Sequence, residues 1–537
     1  MALEGRDQPP NTDLNCGFTI SSLCRNRVMK IGATLSPTVR ESPAQLLEAL
    51  LALRHDVIRD RDATVERWQA HLDRAAAAPN ITNLAAYLAL RRHDLRGLQM
   101  ALMPWGLSSL GRIESRVLPT LDAVIQTLAV LSGTEHDQPL PGRPTLAAFF
   151  EGEDLLERNT GAVFGPARKG RRVRIMATLP SEAATDYSLV RELLQRGADS
   201  LRINCAHDDR AAWMAMVDHG RRAAAELGTQ LTICIDIAGQ KPRIDEVIVP
   251  PDERRLHAGD RLLLSSRPLQ PRQEVEFQAR CSVPAIMSQL VVGVRVCFDD
   301  GKLITRIERI DGDAALLEVV RTSAKGKALV PDLGMNFPDT AVRLPVFTAK
   351  DLADLDFVAA QADAIGFSFV QQAEDVAALQ EELNRRGRMP ALIAKIETAQ
   401  AVRHLPEIII QALGRQPLAV MIARGDLAVE IGYQRLAEIQ EEMLWICEAA
   451  HVPVVWATQV LERLSQKGMP NRAEITDAAM SERAECVMLN KGPHMLEAVS
   501  VLDDLLVRMD AHQRKKTPML RALHSWDNPA DLVPASN

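Results

Sequence analysis

The chain predicts an α/β fold: a (β/α)8 barrel of the TIM type, with a small β-domain inserted into it and a helical region in front of it. Three observations predict it. Past Arg171, apolar strand-like runs alternate with helical ones at 173–179, 200–206, 231–237, 363–370, 391–397, 418–424, 452–458 and 486–490. Most are spaced by roughly thirty residues, the length of one strand–helix unit. One gap, from Gly239 to about Arg343, is far too long for such a unit. It holds short alternating segments such as Val291-Val-Gly-Val-Arg-Val-Cys-Phe, parted by the turn signals Asp299-Asp-Gly301 and Asp311-Gly312.

The other elements follow in order. Residues 1–41 are rich in Pro, Asn, Ser and Gly with little periodicity, which predicts a flexible arm. A helical domain is expected over 42–165. Leu46, Leu47, Leu50, Leu51 and Leu53 open one helix, Val65, Trp68 and Leu72 continue on another, and 83–96 is amphipathic. Arg91, Arg92, His93 and Arg96 read as a solvated helix face rather than an anion site. The proline-rich 137–144 and the stretch 165–170 read as linkers. The barrel then takes 171–243 and 343–512, the insert 244–342, and a basic, polar tail 513–537.

At 537 residues there is ample chain for two or three domains. With 63 basic and 70 acidic residues, a net charge of −7, no global field favours nucleic acid or an anionic membrane. No apolar run approaches the roughly twenty residues of a membrane span, and the first residues lack a secretory signal pattern. The cysteines are scattered, and Cys205, Cys234 and Cys486 fall in apolar strand patterns. Reduced thiols in a cytoplasm are therefore expected.

Chemistry is expected where the strands end, because active sites of such barrels lie at the carboxyl ends of their strands. The run 417–427 goes from Pro-Leu-Ala-Val-Met-Ile-Ala straight into Arg-Gly-Asp-Leu. Gly425 lets the backbone approach a ligand, and Asp426 puts a carboxylate where a helix begins. Lys395 and Glu397 are two apart, so on a strand they share a face. The other ends offer Thr178 and Pro180; Arg202, Asn204 and His207; Asp236, Lys241 and Arg243; Ser368; Thr458 and Gln459; and Asn490 and Lys491. The loops after the last barrel strands often hold phosphate, which makes Lys491 a candidate anion ligand. A structural ion pair would explain either carboxylate-bearing strand end alone, but explains both poorly. Cations beside carboxylates suit a divalent metal and phosphoryl transfer, where positioning and charge neutralisation dominate. No P-loop, H-E-x-x-H or C-x-x-C signature is present.

These motifs resemble the pyruvate kinase family over roughly Arg171 to Met509. The segments are Arg202-Ile-Asn-Cys-Ala-His207, Ile393-Ala-Lys-Ile-Glu397, Ala423-Arg-Gly-Asp-Leu427, Trp456-Ala-Thr-Gln-Val-Leu-Glu462, Asn471-Arg-Ala-Glu474 and Asp299-Asp-Gly301. The resemblance implies a Mg²⁺- or Mn²⁺-dependent kinase acting on phosphoenolpyruvate and ADP, in a homo-oligomer. It implies that Glu397 and Asp426 hold the metal and that Lys395 stabilises the phosphoryl group. Arg202 and Arg243 would grip phosphate, and the Gly425 and Asp426 N–H groups the substrate carboxylate. Ser368 would join the substrate site, Thr458 would lie by the carbon that is protonated, and Pro180 and His207 by the nucleotide. The insert would close as a lid.

The departures resemble an atypical bacterial branch with a helical N-terminal extension and no C-terminal effector domain. Leu333 stands where the family's lid lysine is expected, and Asn490-Lys-Gly-Pro-His494 replaces its usual stretch after the last strand. Gln240 and Pro242 stand where the family has Pro and Ile. Of the family's four oxygen ligands for potassium, Asn204 and Asp236 remain. Ala206 and Ile237 replace the other two. In the family a lysine at the position of Lys241 goes with potassium independence, so K⁺ is not expected to be required. Two alternatives stay open: a lyase or mutase using Mg²⁺-enolate chemistry on a 2-oxo acid, and a degenerate regulatory barrel.

Overall fold

The computed structural model describes residues 41–68, 78–133, 139–251 and 253–519. The arm expected over 1–41, apart from Glu41, and most of the tail lie outside them. Eight parallel strands close into a barrel: β1 (Arg174–Thr178), β2 (Ser200–Asn204), β3 (Thr232–Ile237), β4 (Ala364–Phe367), β5 (Ala391–Ile396), β6 (Leu418–Ala423), β7 (Val454–Ala457) and β8 (Cys486–Leu489). Each falls within a run expected from the sequence, trimmed at its ends. Almost every strand residue is buried, as parallel strands covered by helices on one side and packed in a barrel on the other must be.

Several of the helices between strands start at side-chain caps. Asp186, Asp209 and Thr398 each accept a backbone N–H at a helix start, and Thr348 with Asp351 forms a capping box. Between β3 and β4 lies a seven-stranded sheet in the order 335–336, 295–298, 303–311, 314–321, 261–265, 277–281, 244–248. It has its own core, which includes Phe277, Phe298, Leu317 and Phe337. Leu333 is buried against that core.

In front of the barrel, helices Pro43–Trp68, Ala78–Leu90, Arg96–Leu102 and Val117–Ser132 bury Leu46, Leu50, Leu84, Leu90, Leu121 and Ile125 between them. The two leucine- and tryptophan-bearing helices expected near residue 60 are one continuous helix through Trp68, since no breaker separates Leu53 from Val65. The arginines of 91–96 are engaged locally: Arg92 with Asp60, Arg96 with Asp94, and Arg91 over the Trp445 ring.

A fifth helix, Leu146–Phe164, ends against the floor of the barrel. Val163 and Phe164 sit in one buried cluster with Met176, Ile393, Met421, Val455 and Met488 from inside it. What reads as a linker at Gly165 is held in place: the Arg174 guanidinium donates to Gly165 O at 3.0 and 3.3 Å and reaches Glu157 at 3.0 Å. A short hairpin, 513–514 with 517–518, closes the described chain on the same side.

Truncating the plug tests its weight. Phe164 is 2% exposed, so Phe164→Ala should cost about 3–5 kcal/mol of unfolding free energy by urea titration, the range for a buried aromatic lost to a cavity. A loss near zero would mean the floor is closed by other groups.

Candidate active site

Strands β2, β3 and β5 bring a compact ionic cluster to the carboxyl end of the barrel. Arg202 donates through Nε and Nη2 to Asp236 Oδ2 at 3.0 and 2.7 Å, and through Nη1 to Thr178 at 3.1 Å. Lys395 Nζ lies 3.5 Å from the same Asp236 oxygen and 3.2 Å from Glu397, and donates to Ser368 Oγ at 2.8 Å. Asp236 is fully buried. Burial alone would protonate it, but Arg202 and Lys395 hold its carboxyl below the ordinary range. Lys395 is the mirror case: burial works against its charge, and Glu397 and Asp236 raise its pKa above that of free lysine. Gly366 pairs with Asp236 across β4 and β3, and a Cβ there would lie 1.9 Å from Asp236 Oδ1. Only glycine leaves room for that carboxylate.

Glu397 accepts a hydrogen bond from the Phe369 N–H at 2.6 Å. Its carboxyl is raised, first by burial and also by the nearby Asp426 carboxylate, though Lys395 opposes this. Asp426 lies in the first turn of helix Arg424–Ile431. It accepts from Lys241 Nζ at 2.6 Å and from Asn336 Nδ2 at 3.2 Å. Lys241 also reaches Asp300 at 3.4 Å, in the left-handed turn Asp299-Asp300-Gly301 of the insert. A Cβ at Gly334 would meet Lys241 Cε at 2.6 Å, so glycine there lets the lysine pass. The ammonium group therefore stands on the Asp426 carboxylate, while Asp236 is engaged by Arg202 and Lys395, and Asn204 Oδ1 accepts from Ala206 N. The potassium-ligand positions Ala206 and Ile237 are an exposed alanine and a fully buried isoleucine.

Strand β7 ends in a strained turn. Thr458, Gln459 and Leu461 all have positive φ, at 63°, 58° and 47°. Arg424 holds that turn: its guanidinium stacks on Trp456, donates to Ala457 O at 3.0 Å and Thr458 O at 2.6 Å, and pairs with Asp477. Arg424 thus positions Thr458 rather than facing a ligand. The Asn471-Arg-Ala-Glu474 motif is the capping box of the helix that carries Asp477. Thr458 Oγ1 accepts from Gly425 N at 2.9 Å.

A cavity of about 350 Å³ opens beside the cluster, lined by Thr178, Arg202, Asn204, His207 and Lys491, among others. Burial, and then the Lys491 charge, push the His207 pKa below its usual value. Pro180 follows directly on the lining residues Thr178 and Leu179. Arg243 is turned to the insert, where it donates to Asp332 O at 2.8 Å and pairs with its carboxylate at 3.3 Å. The structure therefore brings together Arg202, Asp236, Lys395, Ser368 and Glu397, then Asp426, Lys241, Gly425 and Thr458, with His207 and Lys491 across the cavity. Arg243 is not drawn into that group.

Two residues escaped the sequence reading. Asn336 bridges Asp426 and Glu430, the latter at 3.3 Å. Burial, with a smaller push from Asp426, raises Glu430 to about 7. Glu430 follows Asp426 by one helical turn, a spacing that could have pointed to a second carboxylate on the same face.

The donor set fits a divalent cation such as Mg²⁺. Among the described residues no cluster of three or more ligating side chains forms an all-protein cage. Two carboxylates completed by substrate oxygens and water are, however, a common way to hold Mg²⁺. Burial of the Glu397 charge, and the smaller repulsion from Asp426 that adds to it, are what a bound cation would offset.

Fold and site define a (β/α)8 barrel with its charged centre at the carboxyl ends of the strands. The family model for the pyruvate kinase barrel domain matches residues 170–494, and the chain belongs to the pyruvate kinase family. It is 30% identical over 361 residues to pyruvate kinase 2 of Trypanosoma brucei brucei, covering 66% of this chain and 70% of that protein. The pyruvate kinase of Methylorubrum extorquens is 31% identical over 350 residues, 64% and 70% of the two chains. Pyruvate kinase 2 of Synechocystis is 29% identical over 347 residues, with this chain spanning 57% of its length. The crystal structure of a pyruvate kinase from Cryptosporidium parvum superposes with a TM-score of 0.57 at 25% identity, over 64% of this chain and 70% of that one. No helix among the described residues is long and apolar enough to cross a membrane.

Glu430 generates a prediction with a definite sign. Its folded-state value of about 7 lies above the ordinary 4.5, so between those values the folded protein keeps a proton that the unfolded chain has released. Its contribution to stability therefore falls as pH rises from about 4.5 to about 7. In chelator-treated protein, Glu430→Gln should flatten that part of the urea-stability profile and leave the variant more stable than wild type above pH 7. Identical slopes in both proteins would show that Glu430 titrates normally.

Proposed function

We propose that the chain is a Mg²⁺-dependent (or Mn²⁺-dependent) pyruvate kinase that transfers the phosphoryl group of phosphoenolpyruvate to ADP, giving pyruvate and ATP. The observation that carries the reading is the buried Lys395 ammonium set between Glu397 and the Arg202–Asp236 pair, in a chain of this family. In this reading Lys395, oriented by Ser368, meets the phosphoryl group as its P–O bond to the enol breaks. A β-phosphate oxygen of ADP takes its place. Arg202 and Arg243 hold phosphate oxygens, so Arg243 turns inward from Asp332 as the insert closes. His207 and Pro180 border the nucleotide, and Lys491 binds an anionic group of the substrate.

The Gly425 and Asp426 N–H groups, at the positive end of helix Arg424–Ile431, take the substrate carboxylate. The Gly425 N–H, now given to Thr458 Oγ1, turns to that carboxylate. The Thr458 hydroxyl is thereby freed to stand by the enolate carbon that gains a proton. Glu397 and Asp426 would hold the metal, which when bound neutralises phosphoryl and enolate oxygens as a Lewis acid. Lys241 supplies a fixed positive charge in place of potassium.

Purified protein with Mg²⁺ should form pyruvate from phosphoenolpyruvate and a nucleoside diphosphate in a coupled assay. No pyruvate with any nucleoside diphosphate would overturn the reading. Methyl-deuterium exchange of a 2-oxo acid, with no phosphoryl transfer to any nucleotide, would instead favour the lyase or mutase.

Glu397→Gln and Asp426→Asn should each abolish turnover while the circular dichroism spectrum is kept. Wild-type rates at limiting Mg²⁺ would remove the metal assignment. Lys395→Met should lower kcat by about 10²–10³ or more, the cost of losing one transition-state donor, with KM little changed. A change confined to KM would make Lys395 a binding residue only. Full activity is expected in buffer free of sodium and potassium, balanced with a tetraalkylammonium salt. Lys241→Glu should cripple the enzyme, and added potassium should restore little.

A further inference from the structure

A second charged cavity, of about 240 Å³, lies at the other end of the barrel. It sits between the helical region, the segments that lead into β1 and β8, and the C-terminal hairpin. Its inner wall is formed by buried ion pairs and by Glu448, whose carboxyl pKa is pushed up by burial to about 7. Lys515 pairs with Glu485 at 2.6 Å, Arg172 with Glu482 at 2.6 Å, and Lys516 with Glu114. Glu157, also on the wall, is held by Arg174 at 3.0 Å.

The mouth is different. Arg112, Arg116 and Arg514 line the cavity there, and one carboxylate, Glu153, serves them. Arg116 takes one of its oxygens, and Arg514 lies 4.0 Å from the other. Arg112 is exposed and has no carboxylate partner among the described residues. Arg116 also lies over the rings of Phe149 and Phe150, at 4.6 and 5.3 Å from their centroids, which fixes the plane of its fork. The mouth thus carries three guanidinium groups against one carboxylate, on two different parts of the chain.

We propose that this cavity binds a small phosphorylated metabolite, its phosphoryl group held by Arg112, Arg116 and Arg514 at a site separate from the barrel mouth. A carboxylate is satisfied by a single guanidinium fork. A phosphoryl group presents three oxygens to several forks at once and matches the surplus charge better. Binding ties the hairpin 513–518 to the helical region, because Arg514 belongs to the first and Arg112 and Arg116 to the second.

Hydrogen exchange of the full chain with inorganic pyrophosphate as probe tests this, since it reports each site by its own peptides. Exchange should slow in the hairpin and around 112–116, whatever happens around 202–207 and 489–494 at the barrel mouth. In Arg112→Gln/Arg514→Gln the hairpin response should need about tenfold more probe or more, as expected when charge-assisted hydrogen bonds are lost. The barrel-mouth response should stay as in wild type. Arg112→Lys should keep part of the response, since lysine retains charge without the fork. Acetate at equal concentration should leave the hairpin unprotected. Should the double variant loosen the hairpin on its own, Arg112→Gln decides, because that side chain is exposed and held by no ion pair. Hairpin exchange indifferent to pyrophosphate in wild type, or slowed equally in the variants, would overturn the proposal.

Discussion

Asp236 has no exposed surface, and the rest of the catalytic face is arranged around keeping it charged. An uncompensated carboxylate in such a place costs several kcal/mol, and removing one partner of a buried pair commonly costs about 3–5 kcal/mol. Arg202 from β2 and Lys395 from β5 therefore have to meet on β3. That fixes which faces of three strands point into the mouth. The same demand excludes a side chain at position 366 on β4, and Ser368, one residue past β4, is left to orient Lys395. Two cations then stand close together, and Glu397 becomes the counter-charge that makes this tolerable. Its carboxyl is raised chiefly because it is buried, with a smaller push from Asp426 that Lys395 opposes.

How far this was legible depends on the range of the interaction. The strands were legible because a buried parallel strand is a continuous apolar run, and the polar residues that interrupt the pattern mark the site. Lys395 and Glu397 could be paired by period alone. Arg424 could not be assigned: it is adjacent to Gly425 in sequence, yet its partners are Asp477 and the 457–458 backbone, both brought by the next strand–helix unit. Asn336 and Lys241 reach Asp426 from the two ends of a roughly hundred-residue insert, and no local pattern encodes that meeting. The anchoring of the barrel floor is not visible in the sequence for a related reason. Gly165-Pro-Ala-Arg-Lys-Gly170 has linker composition, but Arg174 and the apolar pair before it anchor the backbone there.

That floor gives the helical region a mechanical place. Val163 and Phe164 fill the space where the amino ends of the strands would otherwise expose Met176, Met421 and Met488. Asn83 and Asn159 add hydrogen bonds to the backbone at Ala449 and His451, just before β7. The helical region is thus joined to the barrel through its core, and a shift of helix Leu146–Phe164 would be felt by the strands themselves. Close-packed interiors transmit such strain because they have few voids to absorb it.

In the proposed reading, the pair between Lys241 and Asp426 would set the order in which this face fills. At 2.6 Å the ammonium already neutralises the carboxylate that a divalent cation would use, and it ties the insert to the barrel through Asp300. A doubly charged ion at similar distance attracts that carboxylate about twice as strongly in the same medium. It also relieves the repulsion felt by Glu397, which Lys241 only partly offsets. With Glu397 and Asp426 as its only protein ligands, a divalent cation would displace the lysine best when substrate oxygens also hold it. A Lys241 displaced from Asp426 would keep its charge and its link to Asp300 on the insert. In the proposed reading, metal entry, substrate entry and the position of the insert would thus be coupled through one lysine side chain.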